Sequence, residues 1–149
     1  MNYLISRALP SDAHRLKAIA VAAKAHWGYS AEWMARWSAL VQVTEEYLAQ
    51  QAAYTALSNH TIIGWHAVIL GQPTAVLDHL WVEPAFIGKG VGRALFEHAR
   101  QLAQQHGAVR LELEAEPYAL GFYQHMGALI VGEIQSAMGR TLPLMEVIL

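Results

Sequence analysis

The feature that most limits the fold of this chain is a strand pattern that continues through a glycine-rich loop into a long helix pattern. AVLDHLWV at 75–82 has the composition of a strand, and Pro84 ends it because proline cannot donate to a ladder. Gly90 to His106 then shows helical periodicity, and VRLELEA at 109–115 alternates as a second strand. A helix of this length carries the chain back across a sheet, so the two strands are expected to lie parallel in a βαβ crossover.

The remaining segments add antiparallel strands on both sides of this crossover. Before it, the patterns predict a strand at 3–7, helical segments that begin near 11, 30 and 44, and a three-stranded meander over 52–82. After it, they predict a short helix closed by Gly127 and two final strands, at 128–134 and 144–149. The predicted fold class is therefore α/β (α+β): a mixed, mostly antiparallel twisted sheet with flanking helices, in a single domain over 1–149.

Composition limits the partners that such a domain is expected to have. Hydrophobic residues make up 54% of the 149 residues, and the net charge of -2 gives no broad electrostatic reason to bind nucleic acid. No apolar segment is long enough to cross a bilayer, and the first residues do not resemble a signal peptide. The absence of cysteine excludes a thiolate nucleophile and fits a reducing compartment. We expect a cytoplasmic protein without membrane partners, and its hydrophobicity permits a homodimer.

The loop FIGKGVGR at 86–93 has the character of an anion site. Its three glycines stand at alternate positions, so several backbone N–H groups can face one concavity without Cβ obstruction. The following helix directs its positive dipole end toward the same place, and Lys89 and Arg93 add positive charge. The alternative interpretation is a flexible surface turn.

Two well-known phosphate-binding motifs fit this loop poorly. A P-loop requires four residues between its first glycine and a Gly-Lys-Ser/Thr sequence, which this chain does not contain. A dinucleotide-binding fingerprint would use Gly88 and Gly90, but its third glycine would fall on Arg93. The loop is also set off from the strand by EPAFI, and too little chain remains for a doubly wound sheet.

Two segments together resemble the GCN5-related N-acetyltransferase (GNAT) superfamily. LWVEPAFIGKGVGRAL is similar to the family's acetyl-CoA motif after its preceding strand, and FYQHMGA resembles its second signature, an aromatic pair on a short helix followed by glycine. The order of strands and helices along 3–149 also resembles that fold. Ile87 stands where the family usually carries Arg or Gln, and Tyr118 stands where many members carry Asn before Ala119.

The resemblance implies acetyl-CoA as the acetyl donor and assigns residues to it. The residues implied to bind it are Leu80 and Val82 through their backbone groups, then Ile87, Gly88, Lys89, Gly90, Val91, Gly92, Arg93 and Tyr118. Tyr123 matches the family's tyrosine that faces the sulfur and acts as general acid, since a phenol can donate a proton without carrying charge at neutral pH. The alternative for Tyr123 is simple packing of its helix on the sheet, which we expect of Phe122.

A candidate general base lies on the strand before the loop. Asp78 is two residues before Leu80, so strand alternation predicts that both lie on one face, toward the entry of an acceptor. An ordinary carboxylate is a weak base for an ammonium, so Asp78 is expected to act through water or to hold the cation. The alternative for Asp78 is a solvated or turn-bonded carboxylate without a catalytic role. Strand alternation places His79 on the other face, in a structural role. The eight histidines show no spacing typical of a metal site, and no metal is expected.

The acceptor pocket is expected to come from the Trp-rich helical segment AHWGYSAEWMARW. Trp27, Tyr29, Trp33 and Trp37 could enclose an apolar acceptor, and Glu32 could pair with its amine, although two tryptophans one turn apart also suit a core-facing stripe. Arg140 is available for an anionic substrate group, and Glu83 and Glu116 are expected to be exposed at strand ends. We expect transfer of an acetyl group to the primary amine of a small molecule, with a protein amine as the alternative acceptor. The alternative is a non-catalytic acyl-CoA-binding or regulatory domain.

Overall fold

Residues 3–149, which the computed structural model of the protein describes, form seven strands and five helices. The strands are β1 (Leu4–Arg7), β2 (Ala52–Ser58), β3 (Thr61–Ile69), β4 (Thr74–Val82), β5 (Arg110–Glu114), β6 (Leu129–Gln135) and β7 (Thr141–Ile148). The helices are α1 (Ala13–Ala25), α2 (Ala31–Leu40), α3 (Glu45–Gln50), α4 (Val91–Gln105) and α5 (Leu120–His125). Met1 and Asn2, which belong to the predicted domain, lie outside the described residues. No helix within 3–149 is both long enough and apolar enough to cross a bilayer.

All seven described strands form one sheet in the order β1-β2-β3-β4-β5-β7-β6. Neighbouring strands pair antiparallel except β4 and β5, which are parallel and are joined by α4. The predicted fold class, a mostly antiparallel sheet with a central βαβ crossover, is therefore confirmed. The turn and glycine signals in the sequence were sufficient to predict the strand order of the meander, because each of its strands pairs with the strand that directly precedes it.

Helices cover both faces of the sheet. On one face, α4 and α5 pack on β4, β5 and β7 in a core that includes Phe96, Leu111 and Tyr123. On the other face, α1, α2 and α3 pack on β2 and β3 around Leu16 and Trp65. Ser30 and Thr44 begin α2 and α3 as side-chain caps, each accepting a hydrogen bond from a backbone N–H three residues later. These caps agree with the helix starts predicted near 30 and 44, and they position the helical segment that borders the site.

A β-bulge in β4 changes which side chains share a face. Ala67 of β3 pairs with His79 and Val68 pairs with Leu77, which leaves Asp78 without a partner in the register. Leu77 and Leu80 consequently both pack toward α4, whereas Asp78 accepts a hydrogen bond from Tyr47 of α3, on the opposite face. The prediction that Asp78 shares a face with Leu80 is wrong, because one extra residue breaks the period of two.

A buried histidine pair connects the sheet to α4. His66 of β3 is fully buried, and its Nε2 lies 2.9 Å from Nδ1 of His98. The remaining nitrogen, Nδ1 of His66, is buried without a hydrogen-bond partner in the described chain. Burial, with a smaller contribution from His98, lowers the pKa of His66 to about 3. His66 therefore stays neutral in the native protein at pH values where an unfolded histidine binds a proton.

The native state is consequently expected to lose stability as the pH falls below about 6.5. Between that value and about 3 the unfolded chain binds a proton at His66 that the native chain does not, at a cost of about 1.4 kcal/mol per pH unit. Above 6.5 this group has no effect. Urea unfolding at a series of pH values checks this in the wild type and in His66→Phe, whose pH dependence should be flatter by about that slope.

The control for this comparison is His14→Phe, on the exposed side of α1. It should leave the slope as it is in the wild type. Burial also lowers the pKa of His79 and of His98, so a smaller slope remains in the His66 variant. Parallel curves for the wild type and His66→Phe would contradict the assignment.

Candidate functional site

A cleft opens where β4 and β5 separate. The two parallel strands pair at Thr74, Ala75 and Val76, and beyond these positions they diverge. The gap forms a cavity of about 850 Å³ bordered by β4, the end of β5, the start of α4, and α5. A bulge next to the end of the ladder is one way in which a strand bends away from its neighbour. The cleft is long enough to extend from the glycine loop to the Trp-rich helices.

The glycine loop presents a set of unpaired backbone donors. Gly88 and Gly90 adopt φ values of +80° and +83°, in the left-handed region that glycine tolerates. Within residues 3–149, no acceptor takes the backbone N–H of the five residues Gly88, Gly90, Val91, Gly92 and Arg93. The last three N–H groups form the first turn of α4, a helix of 15 residues, so its dipole adds to the attraction for an anion.

Most of the predicted cofactor-binding positions line the cleft. Those that do are Leu80, Val82, Ile87, Gly88, Gly90, Gly92, Arg93 and Tyr118. Val91 instead packs beneath the loop, where it is 1% exposed, so only its backbone can contribute. Lys89 lies outside the lining, and its carbonyl accepts a 2.7 Å hydrogen bond from the Tyr3 hydroxyl. Tyr3 thereby ties the loop to the N-terminal strand.

The backbone of β4 directs polar groups into the gap. Glu83 N–H donates to Ile63 of β3 at 2.8 Å. Because N–H and C=O groups alternate in direction along a strand, Leu80 and Val82 turn theirs away from β3 and toward the opening. This is the geometry that the family resemblance implied for these two positions, and it depends on the backbone alone.

Tyr123 lies at the inner end of the cleft. It is 9% exposed, packs against Phe96 and Phe122, and contributes to the cavity wall. Within the described chain its hydroxyl has no hydrogen-bond partner, yet it is not fully enclosed. Burial, followed by the negative charge of Glu116, raises the pKa of the Tyr123 phenol. The phenol is therefore a protonated donor that opens on the cleft.

Asp78 reaches the cleft from the bulge and belongs to a small network. Tyr47 donates its hydroxyl proton to Asp78 Oδ2, and burial, then this hydrogen bond, raises the pKa of Tyr47. His79 accepts a hydrogen bond at Nδ1 from Trp81 Nε1–H, and burial lowers its pKa. A neutral His79 therefore carries its proton on Nε2 and keeps no free lone pair. Asp78, with a side chain 35% exposed, is the group of this network that can accept a proton.

Glu116 is the centre of a buried ion cluster that sequence reasoning missed. The prediction that it is exposed is wrong, because its side chain is only 10% exposed and pairs with Lys24 and Arg140. Tyr29 donates its hydroxyl to Glu116 Oε1 at 2.6 Å. Burial alone would raise the pKa of Glu116, but the hydrogen bonds from Lys24 and Tyr29 and the charge of Lys24 lower it. Glu116 is therefore held as a carboxylate.

Only some of the other predicted acceptor-site residues reach the cavity. Trp27 and Trp37 line it, whereas Tyr29 reaches it through Glu116 and stacks on Trp33 at 3.9 Å between ring centroids. Glu32 is exposed on the first turn of α2 and does not line the cavity.

Two further predictions concerned exposure and metal binding. Glu83 was expected to be exposed, but its side chain is 25% exposed and pairs with Arg15 at 3.0 Å. Within 3–149, no group of three or more His, Cys, Asp or Glu side chains is placed to hold a metal ion.

One sequence signal for the ion cluster does exist. Lys24 lies four residues after the buried Ala20 of α1, on the apolar stripe that faces the sheet. A lysine in that position requires a buried partner. No acidic residue lies three or four positions from Lys24 in the sequence. The sequence pattern therefore could not predict its pairing with Glu116.

The sequence is similar to a known protein family and to a characterised enzyme. Residues 7–128 match the family described as the acetyltransferase (GNAT) family. The peptidyl-lysine N-acetyltransferase YjaB of Salmonella typhimurium is 26% identical over 110 residues, covering 73% of this chain and 72% of that protein.

Solved structures share the fold across the whole chain. A GCN5-related N-acetyltransferase from Rhodopseudomonas palustris superposes with a TM-score of 0.84 at 24% identity, over 100% of this chain and 97% of that one. The PaiA N-acetyltransferase of Thermoplasma acidophilum, solved in complex with coenzyme A, gives 0.83 at 18% identity over the full length of both chains. At these identities the likeness concerns the fold alone.

Proposed function

Because the chain belongs to the acetyltransferase (GNAT) family, we propose that it transfers an acetyl group from acetyl-CoA to the primary amine of a small molecule. The amine attacks the thioester directly in a ternary complex, so a C–N bond forms, the C–S bond breaks, and the thiolate leaves with a proton. The observation that carries this proposal is the row of unpaired N–H groups at one end of a cleft that leads to the phenol of Tyr123.

The loop from Ile87 to Arg93 binds the diphosphate of the donor. Five backbone N–H groups without an internal acceptor, a helix dipole and Arg93 together favour a polyanion at this place. Ile87 brings no charge where the family usually carries Arg or Gln, so backbone donors supply most of the attraction. The relative from Thermoplasma acidophilum, solved with coenzyme A, supports the same type of ligand.

The backbone groups of Leu80 and Val82 act on the thioester and its pantetheine arm. They point into the gap between β4 and β5, where an N–H can donate to the carbonyl oxygen as negative charge develops on it. Fixed donors of this kind stabilise the tetrahedral transition state without reorganising. Tyr118, in the turn between β5 and α5, borders the same arm.

Tyr123 protonates the leaving thiolate. Burial and the nearby carboxylate of Glu116 raise its pKa, so the phenol keeps its proton throughout the neutral range and is available as an acid. It regains a proton from water when the product leaves. The same phenol packs in the core, which fixes its position relative to the cleft.

Asp78 receives the ammonium of the acceptor and removes its proton, directly or through water. Asp78 also orients the acceptor, since the carboxylate that attracts the ammonium fixes the position of the amine. The Tyr47 hydroxyl holds Asp78 Oδ2 and leaves the other oxygen without a partner in residues 3–149. Glu32, exposed and outside the cleft, has no part in this scheme.

Asp78→Asn is expected to lower kcat by about a hundredfold or more, the usual contribution of a general base, with little change in acetyl-CoA affinity. The measurement is release of free CoA with a panel of amines, after calorimetry has established CoA binding. Glu45→Gln, on the exposed surface of α3, is the matched control and should react as the wild type does. A kcat within about twofold of the wild type for Asp78→Asn would remove Asp78 from the mechanism.

A non-catalytic acyl-CoA-binding domain is the second candidate function, favoured by Ile87 in place of Arg or Gln. It requires the loop to bind CoA without transfer. CoA binding together with no release of free CoA for any amine, in the wild type and in Tyr123→Phe alike, would support this candidate over the enzyme.

A further inference from the structure

A second, smaller cavity adjoins the acceptor side of the cleft. It has a volume of about 220 Å³ and lies between α1, α2 and the β6–β7 hairpin. Lys24, Trp37, Val41 and Leu142 line both cavities, so the two lie side by side. Its walls combine cations with apolar side chains, which are Lys24, Arg140, Trp33, Trp37, Leu40 and Met138.

Glu116 has no capacity left to bind a substrate. Its Oε2 accepts from Lys24 and Arg140, the latter at 3.3 Å. Its Oε1 accepts from Tyr29 at 2.6 Å, from Arg140 at 3.2 Å and from the Tyr118 backbone N–H at 3.4 Å. A carboxylate has about four lone-pair directions. With five hydrogen bonds from four donor groups, Glu116 serves to hold the two cations and does not receive an amine.

The two cations, in contrast, retain donors. An ammonium has three N–H bonds, and within the described chain Lys24 uses one of them, toward Glu116. Arg140 has five, and its NH2 nitrogen alone contacts Glu116, while its side chain is 28% exposed at the cavity. Saturated acceptors beside unsaturated donors form a site for an anion.

The charges of the cluster favour a ligand that carries a single negative charge. Lys24 and Arg140 contribute two positive charges and Glu116 one negative charge. Tyr29 is neutral, since burial and its hydrogen bond to Glu116 raise the pKa to about 12. Glu114 also borders both cavities but is exposed to solvent, where its charge is screened and can attract an ammonium. A monoanion therefore neutralises the buried cluster, whereas a dianion would overcompensate.

We propose that the acceptor is an amine that carries a carboxylate, bound by Lys24 and Arg140 in the smaller cavity. An amino acid is the simplest compound of this class. Its apolar side chain packs against Trp33, Leu40 and Met138, and its amino group extends into the cleft toward Asp78. This inference rests on the proposed function and specifies the acceptor of that same site.

The experiment compares amines that differ only in the negative charge. Leucine and phenylalanine are each tested beside their amides and their decarboxylated amines, and phosphoethanolamine represents a phosphate-bearing amine. The amides are less basic and more readily deprotonated, which biases the comparison against the proposal. The readouts are kcat/KM for CoA release and, independently of turnover, calorimetric binding of each amine to the protein loaded with CoA.

The carboxylated amines are expected to exceed their amides by about tenfold or more in both readouts. Arg140→Gln should bring the ratio close to one with CoA affinity unchanged, and Arg140→Lys should restore part of it. Arg36→Gln, exposed on α2, is the matched control and should keep the wild-type ratio. Thermal unfolding shows whether the Arg140 variants remain folded.

Several outcomes would overturn the inference. They are equal or tighter binding of the amides, preference for phosphoethanolamine, an unchanged ratio in folded Arg140→Gln, or no binding of either amino acid to the CoA-loaded protein. The proposed function fails in a different way, when CoA binds and no amine of any charge is acetylated. The binding measurement decides the inference in that case too.

Discussion

Tyr123→Phe is expected to lower kcat by about a hundredfold to ten-thousandfold while acetyl-CoA binds nearly as tightly as in the wild type. The substitution removes the hydroxyl that opens on the cleft and leaves the ring that packs against Phe96 and Phe122. Because the phenol makes no hydrogen bond within residues 3–149, its loss should change stability little. The effect therefore falls on the chemical step.

The measurement pairs steady-state CoA release with calorimetric CoA affinity. Tyr54→Phe is the matched control, because Tyr54 is half-buried against the same core as Tyr123 but does not line the cleft. Since the pKa of Tyr123 is raised, its ionisation should not produce an alkaline fall in kcat below about pH 10. An unchanged rate in Tyr123→Phe would assign the proton to water instead.

Gly90→Val is expected to weaken CoA binding by at least about tenfold. Gly90 has φ +83° and is the residue before α4, and no protein atom lies within 4 Å of the position that a Cβ would take, so the added side chain would occupy the space of the ligand. The change also twists the loop, because a β-branched residue avoids the left-handed region. Both effects disturb the N–H groups that face the diphosphate.

The control must carry the same backbone strain away from the loop. Gly127→Val does so, since Gly127 has φ +96°, also has no atom within 4 Å of the added Cβ, and follows α5. Both variants should lose about 1–2 kcal/mol or more of stability, and only Gly90→Val should lose CoA affinity. Equal CoA affinity in Gly90→Val and the wild type would contradict the assignment of the loop.

The fold and the donor loop were accessible from the sequence because their signals are local. The meander at 52–82, the glycine loop and the long helix each occupy one continuous stretch, and their order specifies the crossover. Ser30 and Thr44 fixed helix starts through contacts three residues away. Residues close together along the chain determine such features, so the sequence pattern predicts them directly.

The acceptor side was less accessible because its contacts are distant in sequence. Glu116 meets Lys24 across 92 residues, Tyr29 across 87 and Arg140 across 24. The bulge at Asp78 likewise depends on how β3 pairs with β4, and no residue type in β4 indicates it. Charge pairs and register shifts of this kind are properties of the assembled sheet.

The tryptophans give the protein an internal reporter of occupancy. Trp27, Trp37 and Trp81 line the large cleft and Trp33 lines the small cavity, whereas Trp65 is fully buried and donates Nε1–H to Leu16. Four of the five indoles thus lie where a ligand alters their polarity, and the fifth supplies a constant background. Intrinsic fluorescence of the unlabelled chain can therefore follow the filling of either cavity.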